Sequence, residues 1–164
     1  MSTTAVGDKS GTVRVLALLT IIAGVVYIVL GAITWGAVSS NLAAEKITVS
    51  DDASNFQGQL VDTPWEAWVQ AAVINKHALE ASDGKTYAEL PQDDPTRSTV
   101  MTASFLRASL FTSVVAFGVG LLVVGTGIVL ILIGWALHAV AGRKVLVETT
   151  PGVTETAPAA NPAV

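Results

Sequence analysis

Ser109–Val140 reads SLFTSVVAFGVGLLVVGTGIVLILIGWALHAV and carries no charged residue. About 20 apolar residues cross the hydrocarbon core of a bilayer, so this stretch is long enough to span with room for tilt. Small side chains recur in it every seven positions, at Ser113, Gly120, Gly127 and Gly134. A stripe of that kind lets a second helix approach closely along one face.

An equivalent stretch lies upstream. Val15–Val38, VLALLTIIAGVVYIVLGAITWGAV, is apolar behind Arg14 and has its own sevenfold stripe at Ala17, Gly24 and Gly31. A cleaved secretory signal is the rival reading, with Ala37-Val38-Ser39 as the cleavage site. The apolar run far exceeds the about 7–15 residues of a signal's apolar region, which favours an uncleaved anchor. Aligning the ends near Val38 and Ser113 sets Gly31 opposite Gly120, Gly24 opposite Gly127, and Ala17 opposite Gly134. Residue numbers then rise on one helix as they fall on the other, as an antiparallel pair requires. Two alternatives remain: the stripes pack between copies of the chain, or they reflect only the general abundance of glycine in membrane helices.

The rest of the composition agrees with membrane insertion. The 164 residues are 51% hydrophobic and 13% charged, against about 25% charged in an ordinary soluble domain. There is no cysteine, which excludes disulfides, thiolate metal sites and cysteine nucleophiles. The net charge is −4 and no basic run suits a nucleic acid.

Between the spans, Ser39–Ala108 holds ten of the thirteen acidic residues and five of the nine basic ones. Residues 39–94 are expected to form a small, mostly helical cap. It starts with a short strand at Ile47–Val49 and an acidic turn. Thr63-Pro64-Trp65-Glu66 is a helix start with a capping box, and Gly84 a stop, for a helix over about 64–82. Trp65, Trp68, Val69, Ala72 and Val73 share one face of it, and Trp65 and Trp68 are the candidate partner contacts. Asp94-Pro95 opens a long helix, 95–141, that includes a span over about 110–137. Val100, Met101, Phe105 and Ala108 offer its first turns an apolar face for the Trp65/Trp68 helix. Residues 1–13 and 142–164 are polar or rich in Pro, Ala and Thr, and are expected to be disordered.

Lys9 precedes the first span (14–38), Arg14 opens it and Arg143-Lys144 follow the second, which favours both termini in the cytoplasm and the acidic cap outside, against Lys46, Arg97 and Arg107 at the other ends. The expected class is an all-α membrane protein: two antiparallel transmembrane helices under a small extracytoplasmic cap, in the plasma membrane.

Chemistry is sparse. Neither span holds an ionisable group of the kind that marks an ion path, so a transporter is disfavoured; an oligomeric pore remains a lesser alternative. His77 and His138 fall on opposite sides of the membrane and cannot share a metal. His77 with Glu80 is at most half a metal site, and Asp51-Asp52 and Asp93-Asp94 are better read as turn and cap residues than as calcium ligands. No serine stands in a nucleophile elbow, and Gly118-x-Gly120 lies inside a span, not in a phosphate loop. No catalytic residue, metal, cofactor or small-molecule substrate is expected. The expected partners are membrane lipid and either another protein or a second copy.

The runs ITVSDDA (Ile47–Ala53), NKHALEASDGKTYAEL (Asn75–Leu90), VMTASFLRASLFTSVVAFGVG (Val100–Gly120) and LIGWAL (Leu132–Leu137) resemble a group of two-span actinobacterial membrane proteins. Members often carry the label aromatic ring-opening dioxygenase LigA. The resemblance covers most of the chain between the polar tails, implies an actinobacterial plasma membrane, and brings no catalytic residues. The label implies a small non-catalytic subunit of an extradiol dioxygenase, from which this sequence departs in its two apolar spans and missing iron ligands.

Overall fold

Long runs of Leu, Ile, Val, Ala and Gly with no proline have no local reason to leave the helix once it is started. In the computed structural model, which describes residues 10–141, they do not. Three helices follow one another: α1 (Ser10–Ala44), α2 (Pro64–Ala81) and α3 (Arg97–Ala141). There is no strand among the described residues. The 35 residues of α1 and 45 of α3 give rods of about 53 and 68 Å. Both are long and apolar enough to cross a membrane, and only 17% of the most apolar window of each is buried.

The boundaries differ from expectation at three places. Ser10–Val13, expected to be disordered, form the first turn of α1. At its other end α1 runs six residues past Val38, through Ser39-Ser40-Asn41, to Ala44. Ser40 Oγ and Asn41 Nδ2 donate back to the Ala37 carbonyl at 3.0 and 2.8 Å, so these polar side chains are satisfied within the helix they were expected to end. The chain then leaves through Lys46 in the left-handed region, φ 54°. α3 begins at Arg97, not residue 95, because Asp94 closes a turn first. Its carboxylate accepts from the Thr96 N–H at 2.8 Å and the Thr96 hydroxyl at 2.6 Å. Residues 1–9 and the tail from 142 lie outside the described residues.

The cap is a loop, α2 and a connector laid against the first turns of α3. The expected strand is reduced to a single antiparallel bridge, Thr48 with Leu60; beside it the Val49 N–H donates to Gln59 O and the Val61 N–H to Ile47 O. Its core joins Val49, Ala53 and Val61 of the loop, Ala67, Ala71 and Val73 of α2, and Leu110 of α3. α2 starts on Pro64 as expected, but its capping box does not close. The Thr63 hydroxyl donates to the Glu66 carboxylate and makes no bond to the helix backbone. At the far end the Gly84 N–H reaches back to Leu79 O at 2.7 Å, with Asp83 and Gly84 both at positive φ. That is a Schellman-type stop, with Asp83 taking the left-handed position.

Candidate functional site

The site that the sequence points to most directly is the pair of glycine stripes, and its chemistry is the absence of side chains. A β-carbon built on Gly24 would lie 2.6 Å from the Gly127 carbonyl oxygen, and one built on Gly127 would lie 2.6 Å from that of Gly24. One on Gly31 would stand 2.7 Å from Gly120 O, and one on Gly134 2.8 Å from Ala17 O. Real β-carbons essentially never approach within 3.0 Å, so Gly24, Gly31, Gly127 and Gly134 cannot take a side chain without parting the backbones, whereas one on Gly120 would stand 3.4 Å from Gly31 O. The structure thus brings together Gly24 with Gly127, Gly31 with Gly120, and Ala17 with Gly134. Numbers rise on α1 as they fall on α3.

Ile21, Ile28, Val124 and Ile131 fill the spaces between these contacts. Toward the loop end Trp35 packs on buried Phe117, ring centres 4.7 Å apart. Ser113, last in the α3 stripe, is half-buried, and its hydroxyl donates to Ser109 O at 3.2 Å. Thr20 and Thr34, flanking the α1 stripe, bond back to Leu16 O and Leu30 O in the same way. Gly118 and Gly125, on a different face of α3, meet nothing within 4 Å. Outside the ladder both helices expose Leu, Ile and Val along most of their length.

α2 corrects the expectation about its buried face. Trp65 and Trp68 stay 65% and 57% exposed, and Ala72 is exposed, whereas Ala67, Gln70, Ala71, Val73 and Ala78 are buried. The alanines let α2 settle close to α3, and the bulkier indoles are left at the rim. Nor do Met101, Phe105 and Ala108 receive them. All three are exposed, and of the four residues expected to do so only Val100 is buried. Trp68 instead stands edge-on to Phe111 at 5.2 Å, two turns further along α3. Phe56, Pro64, Trp65, Trp68, Val69 and Val114 line an apolar groove of about 350 Å³.

Polar contacts hold the loop to α2. Gln70, buried on α2, accepts from the Ser50 N–H at 3.0 Å through Oε1. Asp52 accepts from Lys76 Nζ at 2.9 Å and lies 2.9 Å from His77 Nε2. The Lys76 bond first and the His77 bond second pull the Asp52 pKa down from 3.8 to about 2, and Asp52 in turn raises that of Lys76. His77 is thereby turned to Asp52, and Glu80 lies 4.0 Å from Lys76. Among the described residues no three His, Cys, Asp or Glu side chains group as a metal site. His138 lies exposed in the last turn of α3.

Two residues that the sequence shows only as charges at the loop ends of the apolar runs tie the connector to α3. Arg97 donates to Leu90 O and stacks 4.1 Å over the Tyr87 ring. Arg107 lines a cavity of about 40 Å³ with Asn75, Thr86 and Ser104, and its Nε is buried without a partner. Both read as solvated charges in a sequence, since nothing in their spacing marks a neighbour ten residues away or on another helix.

Comparison with protein-family models, with curated proteins and with solved structures finds no match.

Proposed function

We propose that the chain is an integral membrane protein that crosses the plasma membrane as an antiparallel helical hairpin and holds a small acidic cap outside the cell. Its work is structural or accessory, done through contacts with another protein or a second copy and not through catalysis. The observation that carries this is the pairing of a bare backbone ladder with rods otherwise clothed in exposed Leu, Ile and Val. In water such surfaces are far larger than the few hundred Å² of apolar patch that a soluble monomer tolerates. In lipid they are the expected exterior, and with no hydrophobic force between helices there, close backbone packing becomes the means of association. The basic residues that flank the two ends support the orientation.

Alkaline carbonate extraction followed by flotation tests the membrane part: the protein should rise with the lipid, and release as a water-soluble species refutes it. Crosslinking in native membranes tests the accessory part, with a defined partner or a self-adduct expected. Stoichiometric iron in detergent-purified protein would favour a dioxygenase subunit instead.

A further inference from the structure

The geometry points to a lipid-docking surface on the cap: the first turn of α2, carrying Trp65 and Trp68, sits in the headgroup boundary of the leaflet on the loop side, against phospholipid. The bilayer crossing proposed above is the premise, and the depth of this turn follows from the contact ladder.

The middle of the Val15–Val38 run, Val26–Tyr27, stands in the register of the ladder opposite Val124–Gly125. With a rise of about 1.5 Å per residue, Val114 lies about 16 Å and Phe111 about 20 Å from that level. The hydrocarbon core ends about 15 Å from the midplane and the headgroup zone about 20–22 Å from it. Val114 lines the Trp65/Trp68 groove and Phe111 meets the Trp68 ring, so both indoles stand at the depth where tryptophan accumulates in membrane proteins. Trp135 lies about 16 Å from the midplane on the opposite side, which makes the two ends alike.

The charges fit a helix standing on its apolar end. Trp68 is at Phe111, while His77 and Ala78 share a groove with Ser98 and Thr102, so α2 leads away from the bilayer along the stem of α3. Lys76, His77 and Glu80 are carried outward with it. Glu66, the acid within the first turn, is buried and bonded to Thr63, so it presents no carboxylate to lipid. Asp62, half-buried just before the turn, limits the depth to the headgroup boundary. Arg107, one turn outward of Phe111, lies about 26 Å from the midplane, beyond the headgroup zone, so the charge of α3 nearest this turn stays out of the lipid. Deeper than Val114, the same face of α3 continues without a charge into the exposed Gly118 and Leu121, four and seven residues on. That continuity is why phospholipid, rather than a protein, is the occupant.

The four tryptophans permit a direct test. In the full chain with Trp35→Phe and Trp135→Phe, only Trp65 and Trp68 emit; with Trp65→Phe and Trp68→Phe, only the span residues do. Each is reconstituted into phosphatidylcholine vesicles brominated high on the acyl chain. The Trp65/Trp68 pair should lose more than half of its emission to the bromine and little to aqueous acrylamide. Quenching by acrylamide and not by bromine overturns the docking if the Trp35/Trp135 pair is still quenched by bromolipid. Protection from both quenchers overturns it too, and marks a second copy covering the groove. If bromine reaches neither pair, the bilayer crossing itself has failed.

Discussion

Replacing Gly127 by alanine adds one methyl group at the tightest point between the two long helices. The new carbon would lie 2.6 Å from Gly24 O, 2.8 Å from Ile28 Cγ1 and 3.0 Å from Ile28 N. Ordinary contact begins at 3.4 Å, so the Gly24 carbonyl must retreat by about 0.8 Å, and it is backbone that cannot rotate away. A gap of 0.5–1 Å forfeits roughly a quarter to a half of each dispersion contact along the seam. With overpacking costs of about 1–3 kcal/mol as a guide, hairpin association should weaken roughly 5- to 150-fold. Gly125→Ala is the control: it stands two residues away, meets nothing within 4 Å, and should gain slightly from helix propensity. Gly24→Ala with Gly127→Ala should cost less than the two singles together, because the first substitution already parts the backbones. Unfolding by rising mole fraction of dodecyl sulfate in bicelles, followed by energy transfer between labels on the two helices, measures all four. Equal midpoints for Gly127→Ala and Gly125→Ala would refute the backbone ladder as the source of association.

Three more outcomes are expected. Ala71→Leu, at a site with 0% exposure, should destabilise the cap by about 1–3 kcal/mol, while Ala72→Leu on the open face changes it by less than about 0.5 kcal/mol; hydrogen exchange of α2 separates them. Asp52 has a folded-state pKa depressed to about 2, so its stabilising contribution is present above 3.8 and lost as pH falls through about 2. A carboxyl titration by NMR should find that midpoint, and one at 3.8 would mean that the Lys76 and His77 bonds do not persist in solution. For orientation, a cysteine at Glu80, whose side chain is 62% exposed, should react with an impermeant maleimide on intact cells. Reaction only after lysis would invert the topology; Ser82 is unsuitable, being 4% exposed and bonded to Ala78 O.

The glycine pairing was legible because it depends on two periodicities and nothing else. Where a missing β-carbon is itself the contact, position along the helix identifies the partner, and Gly24 finds Gly127 by counting. The start of α2 was legible from Thr63-Pro64, since proline suits a first helical turn. Its buried face was not. Two tryptophans dominate any apolar pattern, yet the core took Ala67 and Ala71, whose small size sets how near α2 can lie. Gln70 reads as a surface residue because its partner, Ser50, becomes visible only once the loop is folded, whereas the pairing of Glu66 with Thr63 was legible from their spacing. The extension of α1 was hidden for a similar reason: Ser40 and Asn41 mark turns in most sequences, and here a helical carbonyl satisfies them.

α3 has no joint. Its 45 residues run from the cap to the far end of the second apolar run, and α2 is fastened to the first third through Val100, Leu110 and Phe111. A push that tips or turns the cap therefore acts on a single stiff lever, and the displacement reappears at Ala141 instead of being absorbed in a hinge. The seam leaves α1 no slack, so that rod must slide or swing as its companion does.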